Sequence, residues 1–472
     1  MTVAPGARRA LLLAALLLAA AAAPATVLAK QKHEQTNLIL VTVDTLRADH
    51  LGFAGYPRDT SPNLDRLARD GTWFPRFYSQ SATTGAAHAS IFTSLTPREH
   101  GVTANSQPFP ADKASLMSAL RLQGYLAAGF VSSVVVGRKS KLQEHFDHFD
   151  DALTTVEPNR QTRFERPAAE TVKAALDFLA RAPQDKPFFL WIHLIDPHGP
   201  YEAPVEPDRY VGDRFYDQLT TEIPLGETDW QPGTIPRYQA LGGRTDARYY
   251  VARYDAEIRY MDSALGTLLE ALQERGLAAN TLVAVTADHG ETLAEPGHKH
   301  YFSHGVITYE EVTRVPLVIR EPHGERRLGT VNRERPLSAL DLAPTLLELL
   351  GLPVPAGFRG RNLLHTPLDP EAPMVSLGGY GTENLEQSIG TQFSVRRGPL
   401  RYIVNTKDGS QELYDLGTDP GESKNLIAAP PADVAALRAP IDTAVGANHI
   451  AAPAAKVSDD QAAALKALGY VE

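Results

Sequence analysis

No cysteine occurs anywhere in the 472 residues. That excludes disulfides, thiolate metal sites and a cysteine-anchored lipid. Stability must come from a packed core, which a chain of this length can bury. Positive charge is also scarce. The formal net charge is −10. Removing residues 1–29, which contain Arg8 and Arg9 and no acid, takes it to −12. No nucleic-acid partner is expected from such a balance. Beyond residue 30 there is no low-complexity tract, no internal repeat and no further apolar run long enough to span a bilayer.

The first 29 residues read as a secretory signal peptide. Arg8 and Arg9 supply its positive start, Ala10 to Ala23 its apolar run, and Val27-Leu28-Ala29 a cleavage site before Lys30. Pro24 interrupts the run, so cleavage is expected; an uncleaved N-terminal anchor is the alternative. The expected location is outside the cytoplasm, periplasmic or secreted, with the membrane involved only through export or that anchor.

From residue 36 onward, strands and helices alternate. NLILVTV (Asn37–Val43) is a continuous β-branched run of the kind found in buried parallel strands. Further strands are expected at Leu126–Val131, Pro187–His193 and Thr281–Thr286. Ser61-Pro62 should open a helix that Gly71 closes. Other helices are expected from Thr84 to about Leu95, at Ala168–Ala182, at Arg248–Arg275, and over 336–351. Residues 202–245, rich in proline, glycine and aromatics, read as an insertion loop near the site. The alternation predicts an α/β domain with a mostly parallel central sheet between helices, over 36–370. Short strands after residue 375 predict a smaller C-terminal subdomain with an antiparallel sheet, over 371–472.

Polar clusters follow three of these strands: Asp44; then His193, Asp196 and His198 in HLIDPHGPY; then Asp288-His289-Gly290-Glu291. Open α/β sheets bind ligands beyond the carboxyl ends of their strands. Asp44, Asp288 and His289 together offer two oxygens and one nitrogen to a divalent ion. Taken singly, Asp44 is as well explained as a helix cap and His289 as a satisfied core histidine. Thr84 falls at an expected helix start, where the dipole and free N–H groups favour an anion. A hydroxyl there, beside a metal, would be a candidate nucleophile. His298 and His300, in GHKH, could join a metal site but read rather as a mobile surface loop, His100 as a structural histidine, and Asp150-Asp151 as a solvated pair.

These motifs resemble bacterial sulfatases of the alkaline-phosphatase-like superfamily. The resemblance rests on VTVDTLRADHLG (Val41–Gly52), His88-Ala89-Ser90 with Glu99-His100-Gly101, DPHGPY (Asp196–Tyr201), ADHGE (Ala287–Glu291) with His304-Gly305, and ELYDL (Glu412–Leu416) with the closing Leu468-Gly469-Tyr470. It spans essentially residues 36–472. It implies a hydrolase of a sulfate ester or a phosphate mono- or diester, and a small-molecule, glycan or lipid ester as substrate. The implied cofactor is one divalent ion (calcium, magnesium, manganese or zinc), with a second left open. The metal set would be Asp44, Thr84, Asp288 and His289. Thr84 would be the nucleophile, His198 and His304 would contact the anion or protonate the leaving group, and His88 could add positive charge near the nucleophile.

The departures from the family pattern bear on function. Sulfatases make a formylglycine nucleophile from Cys or Ser, whereas Thr84 holds that place here and His88 replaces the motif's arginine. Val43 stands where many members carry the first of two adjacent aspartates. Threonine at this position resembles the phosphorus-handling branches, and His289 suits zinc or manganese better than calcium. Two competing readings follow: a transferase of phospho-groups at the membrane surface, and a binding protein on an inactive sulfatase scaffold.

Overall fold

The computed structural model describes residues 35–105, 107–161, 163–183, 185–212, 222–365, 369–379 and 390–446. The signal-type segment 1–29 and the motif Leu468-Gly469-Tyr470 lie outside the described residues.

Seven strands form the main sheet: β1 (Asn37–Val43), β2 (Thr72–Trp73), β3 (Leu126–Val131), β4 (His148–Asp150), β5 (Phe188–Leu194), β6 (Thr281–Ala287) and β7 (Leu317–Arg320). Their order is β2-β7-β6-β1-β5-β3-β4. The stretch from β6 to β4 is parallel throughout. The edge is antiparallel, β7 against β6 and β2 against β7. β1, β5 and β6 are buried along their whole length, which is why they read as unbroken apolar runs rather than alternating ones. Each large apolar side chain buried this way contributes about 1.5–3 kcal/mol.

Among the described residues six α-helices have eight or more residues: α1 (Pro62–Asp70), α2 (Thr84–Thr93), α3 (Ala168–Leu179), α4 (Ala247–Glu274), α5 (Leu342–Leu349) and α6 (Val434–Val445). α4 packs on both α1 and α3, while α2 packs on α5. In α1, Leu64, Leu67 and Ala68 face inward. Asp262 of α4 accepts from the backbone N–H of Asn63 and of Leu64 at the start of α1. The Ser61 hydroxyl caps no backbone N–H of that first turn; it accepts from Gly52 N–H and donates to the Asp65 carboxylate. Gly71 ends α1 for a different reason from the one expected. Its φ is −115°, not left-handed, but a Cβ there would stand 2.4 Å from the Ile319 carbonyl oxygen of β7. The glycine allows close packing rather than a left-handed cap.

The helix expected over 336–351 divides. Leu337–Ser338 is a short strand paired with Phe77–Tyr78, and a 3-10 turn at Ala339–Asp341 leads into α5. The Ser338 hydroxyl accepts from Leu340 N–H and Asp341 accepts from Ser338 N–H, which fixes the later helix start. Asp150 and Asp151 are not a solvated pair: Asp150 binds Arg166 at 2.8 Å and Asp151 binds Arg138 at 2.9 Å.

The C-terminal sheet has four antiparallel strands in chain order: β8 (Met374–Leu377), β9 (Gln392–Arg397), β10 (Leu400–Asn405) and β11 (Gln411–Asp415). Leu437, Ile441 and Val445 of α6 cover one face of it. This sheet docks on the main domain beside α2, where Ala82 N–H donates to the Leu377 carbonyl at 2.9 Å.

Candidate active site

Strand register brings the three polar clusters level. Val43 pairs with Leu194 on one side and with Ala287 on the other. Asp44 and Asp288 therefore leave the sheet at the same height, and Asp44 N–H still donates to the Leu194 carbonyl at 2.9 Å. The chain then turns sharply. Thr45 has a φ of 56°, a left-handed conformation that costs a β-branched residue on the order of 1–3 kcal/mol. The Tyr254 hydroxyl holds this turn by donating to Thr45 O at 2.7 Å and accepting from Arg47 N–H at 3.0 Å. After β6, Gly290 N–H donates to Val312 O at 2.7 Å. A Cβ on Gly290 would stand 2.0 Å from the Glu311 carbonyl oxygen, so only glycine fits beside His289.

Asp44, Asp288 and His289 are fully buried, and one ligand atom of each lies within 4.8 Å of the others. His289 Nδ1 lies 3.0 Å from the Gly290 carbonyl. That contact puts the proton on Nδ1 and leaves Nε2 as the free ligand atom. Nε2 is 3.8 Å from Asp44 Oδ1, 3.6 Å from Asp288 Oδ2 and 3.4 Å from Thr84 Oγ1. Asp44 Oδ1 and Asp288 Oδ2 have no hydrogen-bond partner among the described residues. Burial pushes the Asp44 carboxyl up, with His289 and His304 acting against it. Burial opposes charge on His289 as well, but Asp288 and Asp44 outweigh it and push that imidazole up. Two buried carboxylates with unfilled oxygens call for a cation at their common point.

Thr84 is the first residue of α2, with its side chain at the positive end of the helix. The next N–H, that of Gly85, donates to Asn105 Oδ1 at 2.8 Å. His88 stands one turn later, behind the site. Its Nδ1 is 2.8 Å from the Thr84 carbonyl and its Nε2 2.9 Å from Thr42 Oγ1, which also accepts from Trp191 Nε1 at 2.9 Å. Burial pushes His88 down to about 4, although Asp288 pulls the other way. The positive charge expected of His88 is thus what burial disfavours. The ring braces the first turn of α2 through its contacts with Thr84 O and Thr42 Oγ1.

His198 and His304 face each other across the cavity mouth with ring centroids 5.1 Å apart, and His304 stacks on His289 at 4.6 Å. His304 Nδ1 is 3.0 Å from Glu291 Oε1. Burial pushes His304 down to about 3 and Glu291 up to about 8. Burial also drives His198 well down. A cavity of about 510 Å³ rises from Asp44 and Thr84 between these histidines, Trp230 and Tyr238. Arg160 and Arg163 edge it, with the Arg160 guanidinium 3.9 Å above the Tyr238 ring and paired with Glu157.

All the site residues expected from sequence therefore gather here, except that His88 lies behind the cavity rather than in it. Sequence reasoning missed two features. His193, grouped with the second cluster but given no role, is buried beside Asp44. Trp230 and Tyr238 sit in a segment without periodicity, where only aromatic richness marked them.

The chain belongs to the sulfatase family: the family's sequence model matches residues 36–352, and that of the N-sulphoglucosamine sulphohydrolase C-terminal region matches 297–440. It is a hydrolase of the sulfatase and alkaline-phosphatase superfamily, acting on ester bonds. Among its relatives is an uncharacterized sulfatase, YidJ, of Escherichia coli strain K12, 27% identical over 434 residues (84% of this chain, 83% of that protein). Another is the multifunctional alkaline phosphatase superfamily protein PehA of Trinickia caryophylli, 28% identical over 397 residues (70% and 76%). Of solved structures, the phosphonate monoester hydrolase of Agrobacterium radiobacter superposes with a TM-score of 0.65 at 21% identity, covering 86% of this chain and 94% of that one. A sulfatase-fold protein bound to D-glucosamine-2-N,6-O-disulfate gives 0.66 at 21%, covering 87% and 97%.

Proposed function

We propose that the chain hydrolyses a sulfate or phosphate ester, with Thr84 as the nucleophile and Asp44, Asp288, His289 and the Thr84 hydroxyl as the ligands of one divalent ion. The observation that carries this is the meeting of Thr84 Oγ1 and His289 Nε2, 3.4 Å apart, with the buried, unpartnered oxygens of Asp44 and Asp288 beside a cavity. Two carboxylates and an imidazole suit zinc or manganese better than calcium. Such an ion supplies Lewis acidity toward the ester oxygens and lowers the pKa of a ligating hydroxyl.

This chain's own groups carry the rest. The Thr84 hydroxyl, fixed at the head of α2, gives up its proton to solvent as its oxygen forms the new bond to sulfur or phosphorus and the ester bond to the leaving alcohol breaks. The leaving oxygen takes a proton from the His304–Glu291 pair, with His198 beside it in the cavity to contact the anion. Water then cleaves the ester on Thr84 and frees the hydroxyl. Threonine in place of a formylglycine precursor favours phosphorus over sulfur, and the similarity to a multifunctional phosphatase-superfamily relative agrees. The cavity's aromatic walls suit a flat leaving group or sugar ring. The segment 1–29 supports action outside the cytoplasm.

The test is turnover of aryl sulfate, aryl phosphate and bis-aryl phosphodiester by the purified chain with zinc, manganese, magnesium or calcium, beside Thr84→Ala. The expected result is phosphoester turnover that falls on the order of 10⁴-fold or more in Thr84→Ala. Sulfate-ester turnover that survives the substitution would contradict the nucleophile. Net transfer to an added alcohol would favour the transferase reading, and absence of both turnover and bound ion the inactive scaffold.

A further inference from the structure

His193 is the one polar side chain in the strand FFLWIHL, every residue of which is buried. A ring withdrawn from water needs partners for both nitrogens, and each unfilled position costs about 1–3 kcal/mol. Neither His193 Nδ1 nor Nε2 has a hydrogen-bond partner among the described residues. Two other buried histidines show what a structural role looks like here. His88 uses both nitrogens, on Thr84 O and Thr42 Oγ1. His100 uses both as well, with Nε2 on Ser90 Oγ and Nδ1 accepting from Val102 N–H. His193 does neither, and the reaction scheme above gives it no task.

Its position is set by the sheet. His193 pairs with Thr42, two residues before Asp44, and side-chain alternation puts it on the same face as Trp191. His193 Nε2 is thereby 3.6 Å from Asp44 Oδ2. One ligand atom each of His193, Asp288 and His88 lies within 4.8 Å of the other two. His88 is already committed to backbone and hydroxyl partners, so it is not the third member of a separate site. The unfilled atoms that remain around this point are Asp44 Oδ1, Asp288 Oδ2 and His193 Nε2. His193 Nε2 faces Asp44 Oδ2, the other oxygen of the carboxylate whose Oδ1 faces His289 Nε2, and Asp288 is common to its cluster and to that of Asp44 and His289.

We propose that His193 is a further ligand of the ion held by Asp44, Asp288 and His289, so that two imidazoles and two carboxylates surround it. The inference rests on the metal reading of the site and on nothing about the ester or about Thr84. A second nitrogen ligand moves the site's preference further from calcium and toward zinc and manganese. The competing role is that of a positioning residue, with Nε2–H donating to Asp44 and no bond to the ion.

X-ray absorption fine structure of the full chain loaded with one equivalent of zinc separates the two, because it counts imidazoles in the first shell without any substitution. Two imidazoles are expected, and one would overturn the proposal. His193→Ala, checked for folding by its ion-free melting temperature, should lose more than about 100-fold in zinc affinity by chelator competition, beyond the range of outer-shell changes. A loss under tenfold in a folded variant would also overturn it. Failure of the wild type to take up stoichiometric zinc would bring down the metal reading itself, an outcome distinct from a one-imidazole spectrum.

Discussion

Two buried clusters of charge lie in this molecule, one at the carboxyl ends of β1, β5 and β6, the other at the seam with the C-terminal sheet. At the seam carboxylates and cations stand opposite one another as ion pairs, although Arg401 Nε, Glu422 Oε1 and Glu311 Oε1 make no hydrogen bond among the described residues. Glu310 accepts from the Tyr78 hydroxyl and from Arg396 at 2.8 Å each, and from Arg401 at 3.0 Å. Arg401 also meets Glu422 at 3.2 Å and donates to Thr308 O and Thr313 Oγ1. Close by, His298 lies 2.9 Å from Glu311 and stacks on Tyr309, while Glu295 pairs with Arg47. At the strand ends the opposite holds. Asp44 and Asp288 keep unfilled oxygens, and the nearest positive groups are imidazoles more than 3.5 Å away. Ion pairs at the seam fasten two sheets together; the unpaired carboxylates at the strand ends are the basis of the proposed cation site.

Substitution should separate the two clusters sharply. Asp288→Asn is expected to abolish stoichiometric ion binding and lower turnover on the order of 10³-fold or more. The ion-free protein should melt at the same temperature or higher, because a buried unpaired carboxylate has been removed. Metal analysis and calorimetry on the same sample check both halves. Arg401→Ala should do the reverse. Leaving Glu310 and Glu422 without their guanidinium costs about 3–5 kcal/mol, measured by denaturant unfolding, with ion binding by the folded fraction unchanged. Equal losses of stability in the two variants would erase the distinction.

The smallest expected effect is a pH dependence of the seam. Burial works against the proton on His298, but Glu311, Glu295 and Glu422 outweigh it and push the group up from 6.5 to about 9. A histidine with a raised folded value adds stability that is complete below about 6.5 and lost as pH rises through 9. The loss amounts to about 3 kcal/mol. Melting temperature should fall across that window in the wild type and stay flatter in His298→Gln. A flat wild-type profile would show that the seam does not depend on that proton.

How much of this was legible in the sequence follows from what each segment buries. The central strands were found to within a residue, because β1, β5 and β6 are buried on both faces and spell continuous apolar runs. Asp44, Thr84, Asp288 and His289 were legible because each ends a strand or starts a helix. His193 was not, since one polar residue inside an apolar strand carries no periodic signal; its meaning lies in register with Thr42. His298 was read as a surface loop from GHKH, yet it is 3% exposed, buried by Tyr309 and Glu311 from a distant segment. The division of 336–351 was hidden because the apolar pattern continues through a strand pairing with Phe77–Tyr78 that only tertiary structure supplies.

Thr84, beside the unpaired cluster, is the residue proposed to take the transferred group. The most direct measurement is peptide mass analysis of the protein acid-quenched during turnover of an aryl phosphodiester or aryl sulfate. A phospho- or sulfo-group on the peptide containing Thr84, absent from Thr84→Ser only if that variant is inactive, is the predicted result. Full turnover with that peptide unmodified, or the group on another residue, would contradict it.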